Sequence, residues 1–172
     1  HEITHGVDAS EGNLTYQGES GAIDESWADI IGECVEEYAL GSCDWDHRAE
    51  IGANRSLQDP NSLLDPDTYN GTYWKSTASG APDNGGVHTN SGVGNYWFYL
   101  LSVGGSGTND NSDTYSVSGI TIDKARLIAY RAHTVYFISS TNYEDARAAT
   151  ILSARDIYGS CSSEAIAVGK AW

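Results

Sequence analysis

Apolar residues recur at helical spacing in several stretches of the chain, separated by long polar segments. Residues 24–40 carry Trp27, Ile30, Ile31, Cys34, Val35 and Tyr38 on one face, with Glu33, Glu36 and Glu37 on others and Gly41 as a stop. Residues 91–103 repeat the pattern with Val93, Tyr96, Trp97, Leu100 and Leu101, closed by Gly104-Gly105. Residues 122–138 form a third striped segment. A fourth opens at Thr141-Asn-Tyr-Glu144, a capping-box pattern, and ends at Gly159. A last one runs from about Ser162 to Trp172. Two segments rich in Gly, Asn, Asp and Ser, residues 44–90 and 104–119, read as loops. A loop of about 45 residues inside a compact domain is usually functional. No internal repeat and no heptad interrupts this pattern. The expected fold is mainly α, with long loops.

Length and charge narrow the picture. The 172 residues suit one domain with a core of its own. Nine Lys and Arg stand against 24 Asp and Glu, a formal net charge of −15. Such a surface repels phosphates and anionic lipid, which excludes nucleic acid and membrane surfaces as partners. No apolar run approaches the roughly 20 residues that span a bilayer. The chain has no Met and no signal peptide, and it opens at His1 inside a helical pattern. The expectation is an excised piece of a longer protein. Cys34, Cys43 and Cys161 fit no zinc-finger spacing. Cys34 and Cys43 either close a short loop in an oxidising compartment or remain two unpaired thiols.

Candidate chemistry begins at the first residue. In His1-Glu2-Ile3-Thr4-His5 the two histidines lie one helical turn apart, so both imidazoles can reach one metal ion. Glu2 stands beside them, placed to take a proton from a bound water. On ordinary helices this spacing also occurs by chance. A catalytic zinc takes three protein ligands and one water. Glu25, in Gly21-Ala-Ile-Asp-Glu25-Ser-Trp-Ala-Asp29, offers the third. Asp29 lies at i+4 from Glu25 and can accept the outer N–H of a ligand histidine, which fixes its tautomer. In Asp83-Asn-Gly-Gly-Val-His88, Asp83 can orient His88, and an imidazolium there would stabilise an oxyanion.

Together these stretches resemble the thermolysin family of secreted zinc metallopeptidases. The resemblance is carried by HEITHGV, LTYQGESGAIDESWADIIGE, NRSLQDP, DNGGVHTNSGVGNYWFYLLSVGG and SARDIYGSCSSEAIAVGKAW, and covers essentially all 172 residues. Nineteen residues separate His5 from Glu25, as in that family; the related zinc aminopeptidases use eighteen, and their amino-terminus-binding motif is absent. The resemblance implies a C-terminal helical catalytic subdomain over residues 1–172, lacking the family's β-rich N-terminal lobe. It implies His1, His5 and Glu25 as zinc ligands and Glu2 as general base and proton shuttle. Asp29 would orient His1, and Asp24 would touch a histidine. Tyr16 and His88 would donate to the tetrahedral intermediate, with Asp83 supporting His88. Arg55 would bind the substrate carbonyl beyond the scissile bond and shape the pocket there. Glu36 and Asp44 match calcium-binding positions, although a plain acidic surface reads equally well.

Some positions depart from the family. Asp24 stands where Asn is common, and Asn54 replaces a usual Leu beside Arg55, making the specificity pocket more polar. The segment after Trp45 is short, and Ala49 falls near an expected acidic ligand, so the full double-calcium site is not carried over. The implied activity is zinc-dependent hydrolysis of internal peptide bonds in a protein or peptide substrate. The implied partners are the N-terminal lobe of the same polypeptide and a pro-peptide in its precursor, and the implied location is extracellular. The alternatives are an inactive zinc-binding fragment or structural module, and a metal-dependent exopeptidase.

Overall fold

The computed structural model describes residues 1–49 and 52–172. Among the described residues seven helices dominate: α1 (Glu2–Ser10), α2 (Gly18–Leu40), α3 (Pro82–Asn90), α4 (Gly92–Val103), α5 (Ile122–Arg131), α6 (Tyr143–Tyr158) and α7 (Ser163–Ala171). The expected mainly α fold is what the chain adopts. Among the described residues the only sheets are two-stranded and antiparallel: β1 (Asp46–His47) with β2 (Arg55–Ser56), and β3 (Gly104–Thr108) with β4 (Thr114–Ser118).

Helix α2 is the axis of the fold. It is buried on every side from Gly21 to Ile30, with α1, α3, α4 and α5 packed around it. Its apolar pattern predicts a start near residue 24, but the helix begins at Gly18, where packing overrides the poor helix propensity of Gly18 and Gly21. A Cβ on Gly21 would come within 2.6 Å of Val87 Cγ1, so this glycine sets how closely α3 approaches. At the other end Gly41 takes the left-handed cap, φ 77°, and its N–H returns to the Glu37 carbonyl.

The core is a stack of aromatic rings crossing α2. Trp27 lies parallel to Trp97 at 5.6 Å between centroids, and Trp97 lies against Trp172 at 4.8 Å. Phe137 meets Trp27 edge-on at 4.9 Å, and the Trp27 indole N–H donates to the Ala129 carbonyl at 3.0 Å.

Several expectations shift. The 104–119 loop is a hairpin, paired from Gly104↔Ser118 to Thr108↔Thr114, and the alternation in Thr114-Tyr-Ser-Val-Ser118 was its signal. The 44–90 loop holds β1, β2, a 3-10 turn at Pro60–Leu63 and α3. The 122–138 segment divides into α5 and a π-helical turn, Ala132–Tyr136, closed by the Phe137 N–H on the Ala132 carbonyl. The α6 capping box falls one residue later than read, from Asn142 to Asp145, while Thr141 accepts from the Ile138 N–H instead. All three cysteines are free thiols. No described helix is long and apolar enough to cross a membrane.

Candidate active site

Helices α1 and α2 bring two histidines and a carboxylate to one point. His1 caps α1 and His5 follows one turn later, so their Nε2 atoms face each other at 3.2 Å. Glu25, in the buried half of α2, places Oε2 3.6 Å from His1 Nε2 and Oε1 3.6 Å from His5 Nε2. The outer nitrogens are both engaged: His1 Nδ1 with Asp29 Oδ1 at 2.8 Å, and His5 Nδ1 with Asp24 Oδ1 at 2.9 Å. With Nδ1–H donating in each case, both Nε2 lone pairs point into the same space.

Glu25 Oε2 is buried there without a hydrogen-bond partner. Arg55 Nη2 is 3.5 Å from it, but two nitrogen lone pairs and a carboxylate oxygen repel one another unless a cation lies among them. The His1–His5 separation of 3.2 Å, and the 3.6 Å from each histidine to one oxygen of Glu25, lie near the edge of about 3.3 Å that tetrahedral zinc bonds of about 2.0 Å give. The donor set fits that ion.

Beneath this triangle, Asp29 is fully buried and accepts from four groups. Arg55 donates Nε at 2.6 Å and Nη2 at 2.8 Å, Asn95 donates Nδ2 at 3.0 Å, and His1 occupies the remaining direction. Burial alone would raise the Asp29 carboxyl, but the bonds from Arg55 and His1 hold it well below the usual carboxylate range. The Asp29 bond in turn raises the His1 imidazole against the effect of burial. Asp24 moves the other way: burial raises its carboxyl although His5 is bonded to it.

The far side of Glu25 is faced by Tyr16 and His88. The Tyr16 hydroxyl makes a short bond to Glu25 Oε1 and lies 3.1 Å from His88 Nε2. Burial, and then this bond, push the phenol upward, so it remains a proton donor. His88 Nδ1 is 2.5 Å from Asp83 Oδ1, and its backbone N–H donates to the other oxygen of the same carboxylate at 3.0 Å. This clasp is built by four successive left-handed residues, Asp83, Asn84, Gly85 and Gly86, with φ of 55°, 48°, 84° and 75°. Asp, Asn and Gly are the residues that tolerate that conformation. Gly86 has a second reason, because a Cβ there would stand 2.7 Å from Lys75 Cβ. Strained backbone of this kind gathers at functional sites.

These groups line a cleft of about 770 Å³, with His1, Glu2, His5, Tyr16, Asp24, Glu25, Arg55 and His88 on its wall. Asp29 and Asp83 support it from behind. Glu36 and Asp44 are elsewhere. They meet Glu33 in a separate group whose carboxylate oxygens lie within 4.8 Å of one another. Glu33 is buried, accepts from the Trp45 N–H at 3.1 Å, and is pushed up to about 8 by burial and by Glu36 and Asp44.

Sequence reasoning missed Glu33, His47 and Asn95. The first had a signal, since Glu33 and Glu36 share a helical face at i, i+3. His47 had none. It enters because β1 pairs it with Arg55, which sets its ring 4.6 Å from that of His1 and its Nδ1 3.5 Å from Asp29.

Comparison with known proteins adds an independent line. The family described as thermolysin metallopeptidase, alpha-helical domain, matches residues 12–172. Bacillolysin of Bacillus cereus is 43% identical over 98% of this chain and 29% of its own length. Thermolysin of Alicyclobacillus acidocaldarius is 42% identical over the whole chain and 31% of its own length. Among solved structures, the precursor of protealysin, a metalloproteinase from Serratia proteamaculans, superimposes with a TM-score of 0.72 at 26% identity. That match covers 98% of this chain and 53% of protealysin's. The chain therefore spans about 30% of the length of the curated relatives named here.

Proposed function

The chain belongs to the thermolysin family of metallopeptidases, and from that premise we propose that residues 1–172 form the catalytic subdomain of a zinc endopeptidase. The observation that carries this reading is the donor set of His1, His5 and Glu25, with both outer histidine nitrogens tied to carboxylates and Glu25 Oε2 accepting no hydrogen bond among the described residues. When bound, zinc supplies Lewis acidity toward a peptide carbonyl and eases deprotonation of a water.

The protein groups do the rest. Glu2, on the cleft wall, takes the proton from the water as its oxygen attacks the carbonyl carbon, and returns it to the nitrogen as the C–N bond breaks. Tyr16 and His88 stand together on one side of Glu25, where O–H and N–H donors stabilise the developing oxyanion. Asp83 fixes the His88 ring so that Nε2 is the atom presented. Arg55 spends Nε and one Nη2 hydrogen on Asp29, leaving other guanidinium N–H groups for a substrate carbonyl. Asp29 and Asp24 hold the tautomers of His1 and His5.

The same reading assigns calcium to Glu33, Glu36 and Asp44, hard oxygen donors within 4.8 Å of one another. The working enzyme is then the longer polypeptide, with a second lobe completing the cleft, a pro-peptide in the precursor, and an extracellular location.

The test is Glu2→Gln in the full-length enzyme carrying this chain. Zinc content should be unchanged, while cleavage of an end-blocked, internally quenched peptide should fall by several orders of magnitude. Retained cleavage would remove Glu2 from the role, and cleavage confined to peptides with a free amino terminus would favour an exopeptidase. Removing Glu25 should instead lower zinc occupancy.

A further inference from the structure

The two sides of Glu25 differ in chemistry. Toward Oε1 stand His88, 3.4 Å away, and Tyr16, the groups already given a role. Toward Oε2 stands Arg55, its Nη2 3.5 Å away, and beyond it the cleft wall continues as His47, Arg48 and Asn54. The β1–β2 pairing explains why these come together. His47 lies directly opposite Arg55, so both side chains project from one face of the ribbon, and the Asn54 N–H returns to the His47 carbonyl at 3.3 Å. Arg48 and Asn54 flank that pair and are exposed.

This end of the cleft carries donors and no acid among its described lining residues, and no aliphatic side chain either. Positive charge is scarce in a chain of net charge −15 with nine Lys and Arg, yet two of them, Arg48 and Arg55, lie here. Arg55 is committed to Asp29 through two bonds. Arg48 forms no ion pair among the described residues, so its guanidinium is the one that can meet a ligand's charge. Asn54 adds amide N–H donors beside it. A leucine or phenylalanine side chain lying here would desolvate these groups and give them no partner. A carboxylate would satisfy a guanidinium fork and an amide together.

We propose that Arg48, Asn54 and His47 form a specificity wall that selects an acidic side chain, Asp or Glu, on the substrate residue following the scissile bond. This rests on the peptidase reading for the direction of the chain, and on the cleft alone for the chemistry recognised. Arg48 and Asn54 contact the side chain; His47 closes the floor next to His1.

The experiment uses end-blocked peptides identical except at that one residue, carrying Glu, Gln, Leu or Lys. They are assayed for kcat/KM on the full-length zinc enzyme and for binding, by fluorescence anisotropy, to its Glu2→Gln variant. The Glu peptide should exceed the Leu peptide on the order of tenfold in both measurements, with Lys last. The double substitution Arg48→Ala with Asn54→Leu should reverse the order of Glu and Leu while zinc content stays the same. Cleavage with Leu preferred, or a Glu preference that survives the double substitution, overturns the proposal. Absence of all cleavage together with the Glu-first binding order would overturn the peptidase reading and leave the acid-selecting wall standing.

Discussion

Asp29 and Glu33 lie one turn apart on α2, both buried, and their carboxyls move in opposite directions. Asp29 meets a guanidinium, an imidazole and an amide, and is held far down. Glu33 meets one backbone N–H and two other acids, and rises to about 8. Removal from water pushes each carboxyl upward. What differs is the company, and it decides whether the group is a fixed anion or a proton holder. At the first site the anion anchors His1 and Arg55 beneath the cleft. At the second, an acid that holds a proton when alone is one that a divalent cation can deprotonate and bind.

Breaking the first half of the comparison should have the largest effect. Arg55→Leu leaves Asp29 buried with its main partner gone, a change that costs about 3–5 kcal/mol for comparable pairs. The lower end is expected, because His1 still shares the charge. For a domain of this size that is a fall in Tm of about 6–12 °C, read by thermal melts in chelator. A loss below about 1 kcal/mol would mean the pair is not what holds Asp29 down.

The second half is tested by pH. Glu33 binds its proton more tightly folded than unfolded, where the ordinary value is 4.5. Its contribution is therefore fully present below about pH 4.5 and lost as pH rises through about 8. Asp29 has the reverse sign: its contribution is present above the ordinary carboxylate range and lost as pH falls below it. In calcium-free melts between pH 5 and 9, Glu33→Gln should flatten the decline on the alkaline side, raising Tm at pH 8 by several degrees. Calcium should raise the Tm of the parent at pH 8 and have little effect on the variant. An unchanged alkaline limb in the variant would show that Glu33 does not carry it.

How far the sequence discloses these two sites follows from how local each one is. His1 with His5, Glu25 with Asp29, and Asp83 with His88 are separated by one turn or one loop, and spacing alone puts them side by side. The helices over 91–103 and 162–172 are legible for a similarly local reason, since their apolar residues recur at helical spacing. His47 is different: its place depends on the ribbon register with Arg55, eight positions away, and on α2 lying beneath both. Asn95, at the start of α4, reaches Asp29 only after α2 and α4 have packed. The 104–118 hairpin is hidden by Gly104, Gly105 and Gly107, which weaken the strand signal although Thr114–Ser118 alternates. The α2 start at Gly18 is a tertiary effect, with packing overriding glycine's poor propensity.

The smallest expected effect is the most discriminating about why Asp29 is an anion. Asn95 is fully buried and gives Asp29 a hydrogen bond from an uncharged donor at 3.0 Å, while its own Oδ1 accepts no hydrogen bond among the described residues. Asn95→Leu, with the same branching but a larger volume, removes a bond to a charged group worth about 1.5–3 kcal/mol and at the same time removes an unsatisfied oxygen that costs about 1–3 kcal/mol. The two nearly cancel, which leaves the added volume, about 1 kcal/mol at the low end, as the net loss expected in denaturant melts, short of Arg55→Leu. The acid limb of the stability profile should shift only slightly, because Arg55 and His1 still face the carboxylate. If Asn95→Leu destabilised as much as Arg55→Leu, the number of donors around Asp29 would matter more than their charge. The contrast with Glu33 would then be one of hydrogen-bond count rather than of ionic company.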